Sequence, residues 1–396
     1  MKFSALLLLS LASPFAAAQS PIPSLPAPTT AAAPMPPPPT LTARTWVLAD
    51  YLTGRVLAEK GADERVEPAS ITKIMTSYVV SAEIKAGKIK LDDQVFISEH
   101  AWRNGGGGTD GSTSFVPLNA SVPLNDLLMG MIVQSGNDAA IALAEHVAGS
   151  EATFAALMNQ YAQRLGMTSS NYVNASGLHD PNHYTTARDV AILSRALIRD
   201  FPDDYAAYAL KEYTINGIAQ HNRNTLLWRD PSVDGIKTGH HKEAGYCLAA
   251  SAKRGETRLI SVLMGATGEK IRANETQALL NYGFGFFETH KLYARGATVA
   301  EATLWRGAVE KAQLGVASDA LITIPRGAYA RLQASMNVRK PLAAPLKKGE
   351  EVGNLLVKLD GEEVLKTPLI ANQDFAEGGF FSRLSDTVWL WFDDGE

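Results

Sequence analysis

The stretch PASITKIMTSYVV, residues 68–80, decides how this chain is read. From Ala69 onward the apolar residues Ile71, Ile74, Met75, Tyr78, Val79 and Ala82 recur at helical spacing, with Pro68 at the entry and Gly87 as a terminator. Ser70 and Lys73 stand three apart at the start of that helix, so a hydroxyl and an amine project from the same face. The helix N-terminus adds free N–H groups and a positive partial charge beside them, a setting that suits a nucleophile and the oxyanion it creates. Alone, the spacing is weak, because a Ser and a Lys fall three apart by chance in many chains of 396 residues.

Two further triplets strengthen it. Ser135-Gly136-Asn137 sits where one helical pattern stops and another starts, offering a hydroxyl and an amide on a tight turn. Lys237-Thr238-Gly239 ends an apolar strand pattern, with a glycine where backbone must pass close to a ligand. With Asp in place of Gly136, this is the trio of penicillin-binding proteins and class A β-lactamases, in the same order. Ser135 could instead be only a helix cap, and Lys237 only a solvated strand end.

Around the triplets, Thr45–Asp50 and Arg55–Glu59 read as two strands, and Val233–Thr238, Tyr246–Ala252 and Leu259–Gly265 as three more. Helical patterns cover 125–133, 138–147, 151–165, 187–198 and 274–287. The fold class expected is α/β of the α+β type, an antiparallel sheet flanked by helices with a helical subdomain. Beyond about Lys291 the character changes to short strands at 298–304, 320–324, 332–338, 352–359 and 363–370, and Asp360-Gly361 marks a two-residue hairpin turn. A small all-β C-terminal domain is expected there.

Over nearly the whole mature chain the text resembles low-molecular-mass penicillin-binding proteins, the serine-type D-alanyl-D-alanine carboxypeptidases with a β-rich second domain and a C-terminal membrane-anchor tail. The resemblance rests on PASITKIMTSYVV, QSGNDAAIALAEHVAG, TARDVAILSRALI, HNRNTLLW, VDGIKTGH, AGYCLAASA and GFGFFET. It implies that Ser70 attacks the penultimate D-Ala of a peptidoglycan stem pentapeptide, with Lys73 as base, its charge suppressed by burial and by Lys237. It also implies that Ser135 relays a proton to the leaving amine and that Asn137 positions substrate and Lys73. The N–H groups of Ser70 and His240 would form the oxyanion hole. Lys237, Thr238 and Arg223 would receive the terminal carboxylate, with Gly239 also on the substrate-binding side, although a structural ion pair would explain Arg223 or its neighbour Arg229 too. β-Lactam antibiotics are implied as covalent inhibitors. His241 stands where relatives often carry Thr.

Residues 1–18 have an early Lys2, a leucine-rich core and small residues before Gln19, which reads as a secretory signal cleaved near Ala18. A Pro/Ala-rich linker follows over 19–40. The expected divisions are then a catalytic domain at 41–290, a β-rich domain at 291–376 and an amphipathic tail at 377–396. The tail places Phe380, Phe381, Leu384, Val388, Trp391 and Phe392 on one helical face, for peripheral association with the outer side of the inner membrane. The protein is thus expected in the periplasm.

Net charge is −4 and no basic run occurs, which argues against a nucleic-acid surface. His240 and His241 lack a third ligand pattern or an HExxH, so no metal or other cofactor is expected. Gly105 to Gly108 lacks the Gly-Lys-Ser/Thr of a phosphate loop and reads as a loop beside the site. The 179–183 stretch reads as structural, and the single cysteine, Cys247, as a buried thiol. Rival readings are a β-lactamase, a D,D-endopeptidase and a non-catalytic wall scaffold. No Glu-x-x-Leu-Asn element is present to deacylate as class A lactamases do.

Overall fold

The computed structural model describes residues 35–106 and 111–379. The leader at 1–18, most of the linker, residues 107–110 and the tail from Phe380 lie outside the described residues. The chain forms two compact units, the first ending at Thr289 and the second beginning at His290.

The first unit is built on one antiparallel sheet of five strands. They are β1 (Thr45–Asp50), β2 (Val56–Lys60), β3 (Val233–His241), β4 (Gly245–Arg254) and β5 (Thr257–Ala266), in the order β2-β1-β5-β4-β3. Successive side chains point to opposite faces, and here both faces are apolar. Trp46, Leu48, Leu248, Ala250 and Ala252 face one way, into a core shared with Leu279, Leu280 and Phe284. Val47, Cys247, Ala249, Ile260 and Val262 face the other, into the main core. Cys247 is fully buried, which pushes its thiol up to about 11 and leaves it a packing residue.

Five helices supply the covering layers: α1 (Lys73–Lys85), α2 (Asn137–Ala148), α3 (Glu151–Leu165), α4 (Ala187–Asp200) and α5 (Glu269–Phe286). α5 covers the first face, and its run of residues lining that core begins at Ala273, which is why the apolar pattern alone places its start near Asn274. The other four belong to the main core. α1 is buried around nearly its whole circumference, the pattern of a helix enclosed by its neighbours rather than lying on a surface. Its first turn therefore opens inside the protein, where whatever it carries is taken out of water.

Some elements escape the sequence reading. The expected helix at 125–133 is α-helical only over Leu124–Met129 and then widens into a π turn, Gly130–Gln134. A hairpin pairs Glu212–Ile215 with Ile218–His221 across Asn216-Gly217, both at positive φ. That Asn-Gly pair is a hairpin signal in its own right.

The second unit holds a five-stranded antiparallel sheet in the order Thr298–Thr303, Lys311–Val316, Glu362–Ala371, Glu351–Leu359, Leu332–Val338. Asp360 and Gly361 turn between the two longest of these at φ 53° and 91°, joining Leu359 to Glu362. The strand at Lys311–Val316 is absent from the sequence reading, because its alternation is carried by Ala312 and interrupted by Gly315. Among the described residues no helix is long and apolar enough to cross a membrane.

Candidate active site

Everything at the site follows from how the chain enters α1. Ala69 has φ 47°, a left-handed conformation that costs a non-glycine residue of order 1–3 kcal/mol and persists only where its surroundings enforce it. Here two glycines crowd the bend. A Cβ on Gly177, itself at φ 83°, would collide with the Ala69 carbonyl, and one on Gly239 would lie 2.8 Å from the Pro68 carbonyl. Ser70 is thereby lifted into a 3-10 turn, Ala69–Thr72, that precedes α1 rather than forming its first turn.

Lys73 opens α1 and is 1% exposed. Its Nζ donates to Ser70 Oγ at 2.9 Å, to Asn137 Oδ1 at 2.6 Å and to the Ser176 carbonyl at 2.7 Å. Three oxygens exhaust an ammonium's donors, and none is a carboxylate. Burial accordingly pushes Lys73 down to about 7; Asp138 and Glu151 pull it upward, and the Arg223 guanidinium pushes it further down. The distance from an ordinary lysine is worth roughly 5 kcal/mol against the charged form. The neighbouring positive charge that assists is thus Arg223, where the sequence pointed to Lys237. Lys237 is itself held well below its usual range, first by burial and then by Lys73, Arg223 and Arg272.

Ser135 sits in a left-handed conformation (φ 66°) between the π turn and α2, and Asn137 begins α2. Gly136 has no room for a side chain: a Cβ there would run into Ser114 Oγ and approach Asp138 Oδ1 at 2.8 Å. Asp138 ties that strap down, accepting from the Ser114 N–H at 2.8 Å and from Thr113 Oγ1 at 2.7 Å. An Asp at position 136, as in the lactamase form of the triplet, does not fit this packing. The turn that presents Ser135 therefore requires the glycine.

A cleft of about 600 Å³ opens over these groups. Of the residues singled out in the sequence, Ser70, Ser135, Asn137, Arg223, Thr238, Gly239 and His240 line it, while Lys73 and Lys237 lie buried beside it. The His240 ring stacks on Tyr246 with centroids 3.9 Å apart. Lys237 makes only a 3.3 Å contact to the Thr238 carbonyl, and Arg223 has no ion-pair partner among the described residues.

Several cleft residues lie outside the sequence reading. Ser176 contributes a backbone carbonyl, for which sequence carries no signal. Arg272 and Tyr246 line the cleft as well. The stretch at 179–183 divides: His183 is structural, its Nδ1 accepting from the Val173 N–H at 3.2 Å and its Nε2 lying 2.7 Å from Thr72 Oγ1. Burial keeps that ring neutral, down to about 4. His179, in contrast, lines the cleft and pairs with Glu67 at 2.7 Å, which raises its affinity for a proton. Glycines 105 and 106 end a short helix, Glu99–Gly105, and Gly111 and Ser112 return to line the cleft. Among the described residues no group of histidine, cysteine and carboxylate side chains could hold a metal ion.

Known proteins share this architecture. A family model described as D-alanyl-D-alanine carboxypeptidase matches residues 29–268, and one described as penicillin-binding protein 5, C-terminal domain, matches residues 287–377. D-alanyl-D-alanine carboxypeptidase DacC of Escherichia coli (strain K12) is 47% identical over 357 residues, covering 89% of this chain and 89% of that protein. The crystal structure of penicillin binding protein 5 from Haemophilus influenzae superposes with a TM-score of 0.82 at 44% identity, covering 86% of this chain and 99% of the other. Penicillin-Binding Protein D2 from Listeria monocytogenes in its ampicillin-bound form matches with a TM-score of 0.55 at 28% identity, covering 63% of this chain and 100% of that one. This chain therefore belongs to the D-alanyl-D-alanine carboxypeptidase family, the serine peptidases among the low-molecular-mass penicillin-binding proteins, with a C-terminal β domain.

Proposed function

We propose that this carboxypeptidase works through Ser70, removing the terminal D-Ala of a peptidoglycan stem pentapeptide by way of an acyl-enzyme. The observation that carries the reading is the 2.9 Å contact between Ser70 Oγ and a Lys73 amine that burial brings to about 7. A lysine poised near neutrality can take the Ser70 proton as Oγ attacks the carbonyl carbon of the penultimate D-Ala. The N–H groups of Ser70 and His240 face the oxyanion, a contribution of roughly 3 kcal/mol per donor. When the C–N bond breaks, the proton passes from Lys73 through the Ser135 hydroxyl to the leaving amine. Water then adds to the acyl carbon, its proton going to Lys73, and the C–O bond to Ser70 breaks as that proton returns to Oγ.

Asn137 holds Lys73 in place through its Oδ1 and leaves its amide nitrogen for the substrate. Lys237, Thr238 and Arg223 receive the terminal carboxylate, and Gly239 lets the strand end lie against the bend before Ser70. A β-lactam acylates the same hydroxyl. The enzyme is exported behind its cleaved leader and works in the periplasm, with residues 41–290 as the catalytic domain, and the tail holds it against the inner membrane. Deleting 380–396 should move it from the membrane to the soluble fraction.

Titration with a labelled penicillin, alongside release of free D-Ala from a stem pentapeptide, tests the central claim. Wild type should be labelled and release D-Ala, and Ser70→Ala should do neither. Equal labelling of both would defeat the reading; rapid penicillin turnover without D-Ala release would point to a lactamase instead.

A further inference from the structure

Lys73 is a base only as a neutral amine, which has two N–H groups and one lone pair where the ammonium has three donors. Of its three oxygen neighbours, Asn137 Oδ1 at 2.6 Å and the Ser176 carbonyl at 2.7 Å lie closer than Ser70 Oγ at 2.9 Å. With both N–H groups given to the two nearer acceptors, the lone pair is left facing the Ser70 hydroxyl. Asn137 is placed by the start of α2. The Ser176 carbonyl sits in the irregular segment between α3 and α4, so its direction depends on what grips the chain there.

The grip is on Ala175, the residue before, which is fully buried. Its carbonyl accepts from Thr76 Oγ1 at 2.6 Å, and its N–H donates to Glu151 Oε1 at 2.9 Å. Past Ser176, the Gly177 N–H donates to Asn174 Oδ1 at 2.7 Å. Glu151 opens α3 with a side chain only 16% exposed, and His100 Nε2 lies 3.0 Å from its other oxygen. It is not among the described residues that line the cleft, so any effect it has on the chemistry passes through another group.

We propose that Glu151 is a positioning residue for the proton transfer, fixing the Ser176 carbonyl that aims the Lys73 lone pair at Ser70 and acting on the same amine through its charge. As the lone pair takes the Ser70 proton, the O–H electrons stay on Oγ for the attack on the carbonyl carbon. The charges around Lys73 agree with this. After burial, which pushes the amine down, Asp138 pulls it upward, Arg223 pushes it down and Glu151 pulls it upward; Lys237 and His183 face it as well. The inference rests on the reading of Ser70 and Lys73 as nucleophile and base, and its test separates the two.

Penicillin acylation is measured against pH and against penicillin concentration in two variants that divide reach from charge. Glu151→Asp keeps the charge and falls one methylene short of the Ala175 N–H. Its plateau acylation rate should drop by about 10- to 100-fold, as for a misaimed reacting group, with half-saturation changed by no more than about twofold. Glu151→Gln keeps an oxygen for that N–H and drops the charge. Its plateau should stay within about threefold of wild type, while the acid limb moves to lower pH because the Lys73 ammonium has lost a favourable neighbour. A wild-type plateau in Glu151→Asp, or an equal loss in both variants, would overturn the proposal. So would a lowered melting temperature with limb and plateau unmoved, the signature of a residue that merely starts its helix. If Glu151→Asp does not fold, an unmoved limb in Glu151→Gln alone decides against it. Labelling that survives Ser70→Ala would sink the acylation reading instead, wherever the limb lies.

Discussion

Two five-stranded antiparallel sheets make up most of this protein's β structure, and they bury different things. In the β-rich unit the buried polar residues among those described are Thr323 and Thr367. In the first unit Lys73, Lys237, Asn137, Asp138, Arg272 and Ser135 are all buried; Lys73 donates to Asn137, and Ser135, Asn137 and Arg272 line the cleft. A sheet can be stabilised without buried charge, as the second unit demonstrates. The first unit carries the desolvation of two amines and a guanidinium, and that cost buys perturbed proton affinities in a cleft, the mark of chemistry rather than of packing.

The sharpest way to break the comparison is to remove a buried amine. Lys73→Met should lower kcat for D-Ala release by about 10²- to 10⁴-fold, the usual worth of a general base. Its melting temperature should change far less than its activity, because the loss of a disfavoured buried amine offsets the two acceptors, Asn137 Oδ1 and the Ser176 carbonyl, that the substitution leaves unpaired. A fall in stability that matches the fall in activity would mean that Lys73 is chiefly structural.

Proton affinity gives the next largest effect. Lys73 must be neutral to act as a base, so penicillin acylation should be near its plateau above about pH 7 and fall about tenfold for each unit below it. The stability sign runs the same way: the unfolded lysine holds its proton up to about 10.4, and the folded one releases it near 7. Between those values the unfolded state binds more protons, so this group's contribution to stability rises with pH across the window. A profile whose midpoint stays near 10 would reject the buried neutral amine.

Backbone crowding comes third. Gly177→Val forces a β-branched residue into φ 83° and a Cβ onto the Ala69 carbonyl, which should cost about 3 kcal/mol or more and slow acylation together with it. In the β-rich unit the matching change is mild. Gly361→Ala at φ 91° should lower stability by about 1 kcal/mol in thermal unfolding and leave the acylation rate constant as it was. A change in acylation there would erase the contrast between the units.

Much of this is legible in the chain because the relevant forces are local. Ser70 and Lys73 meet because helical geometry brings positions three apart onto one face. Asp360-Gly361 turns because both residues tolerate positive φ. The alternation in β1, β4 and β5 announces a sheet, and its near-continuous apolar character announces cover on both sides. Asn216-Gly217 carried a readable signal as well, whereas the strand at Lys311–Val316 was blurred by small residues.

What tertiary structure alone decided is the environment of those residues. Lys73 reaches Asn137 across 64 positions and Ser176 across 103, and no periodicity encodes either contact. Which cation depresses Lys73, why Gly136 cannot be Asp, and that Arg272 enters the cleft at all depend on elements brought together only by packing. Sequence thus determined which groups are available and their local geometry, since backbone sterics act between near neighbours. Their proton affinities and partners are set by burial and by charges from distant segments, and exist only once the core has closed around α1.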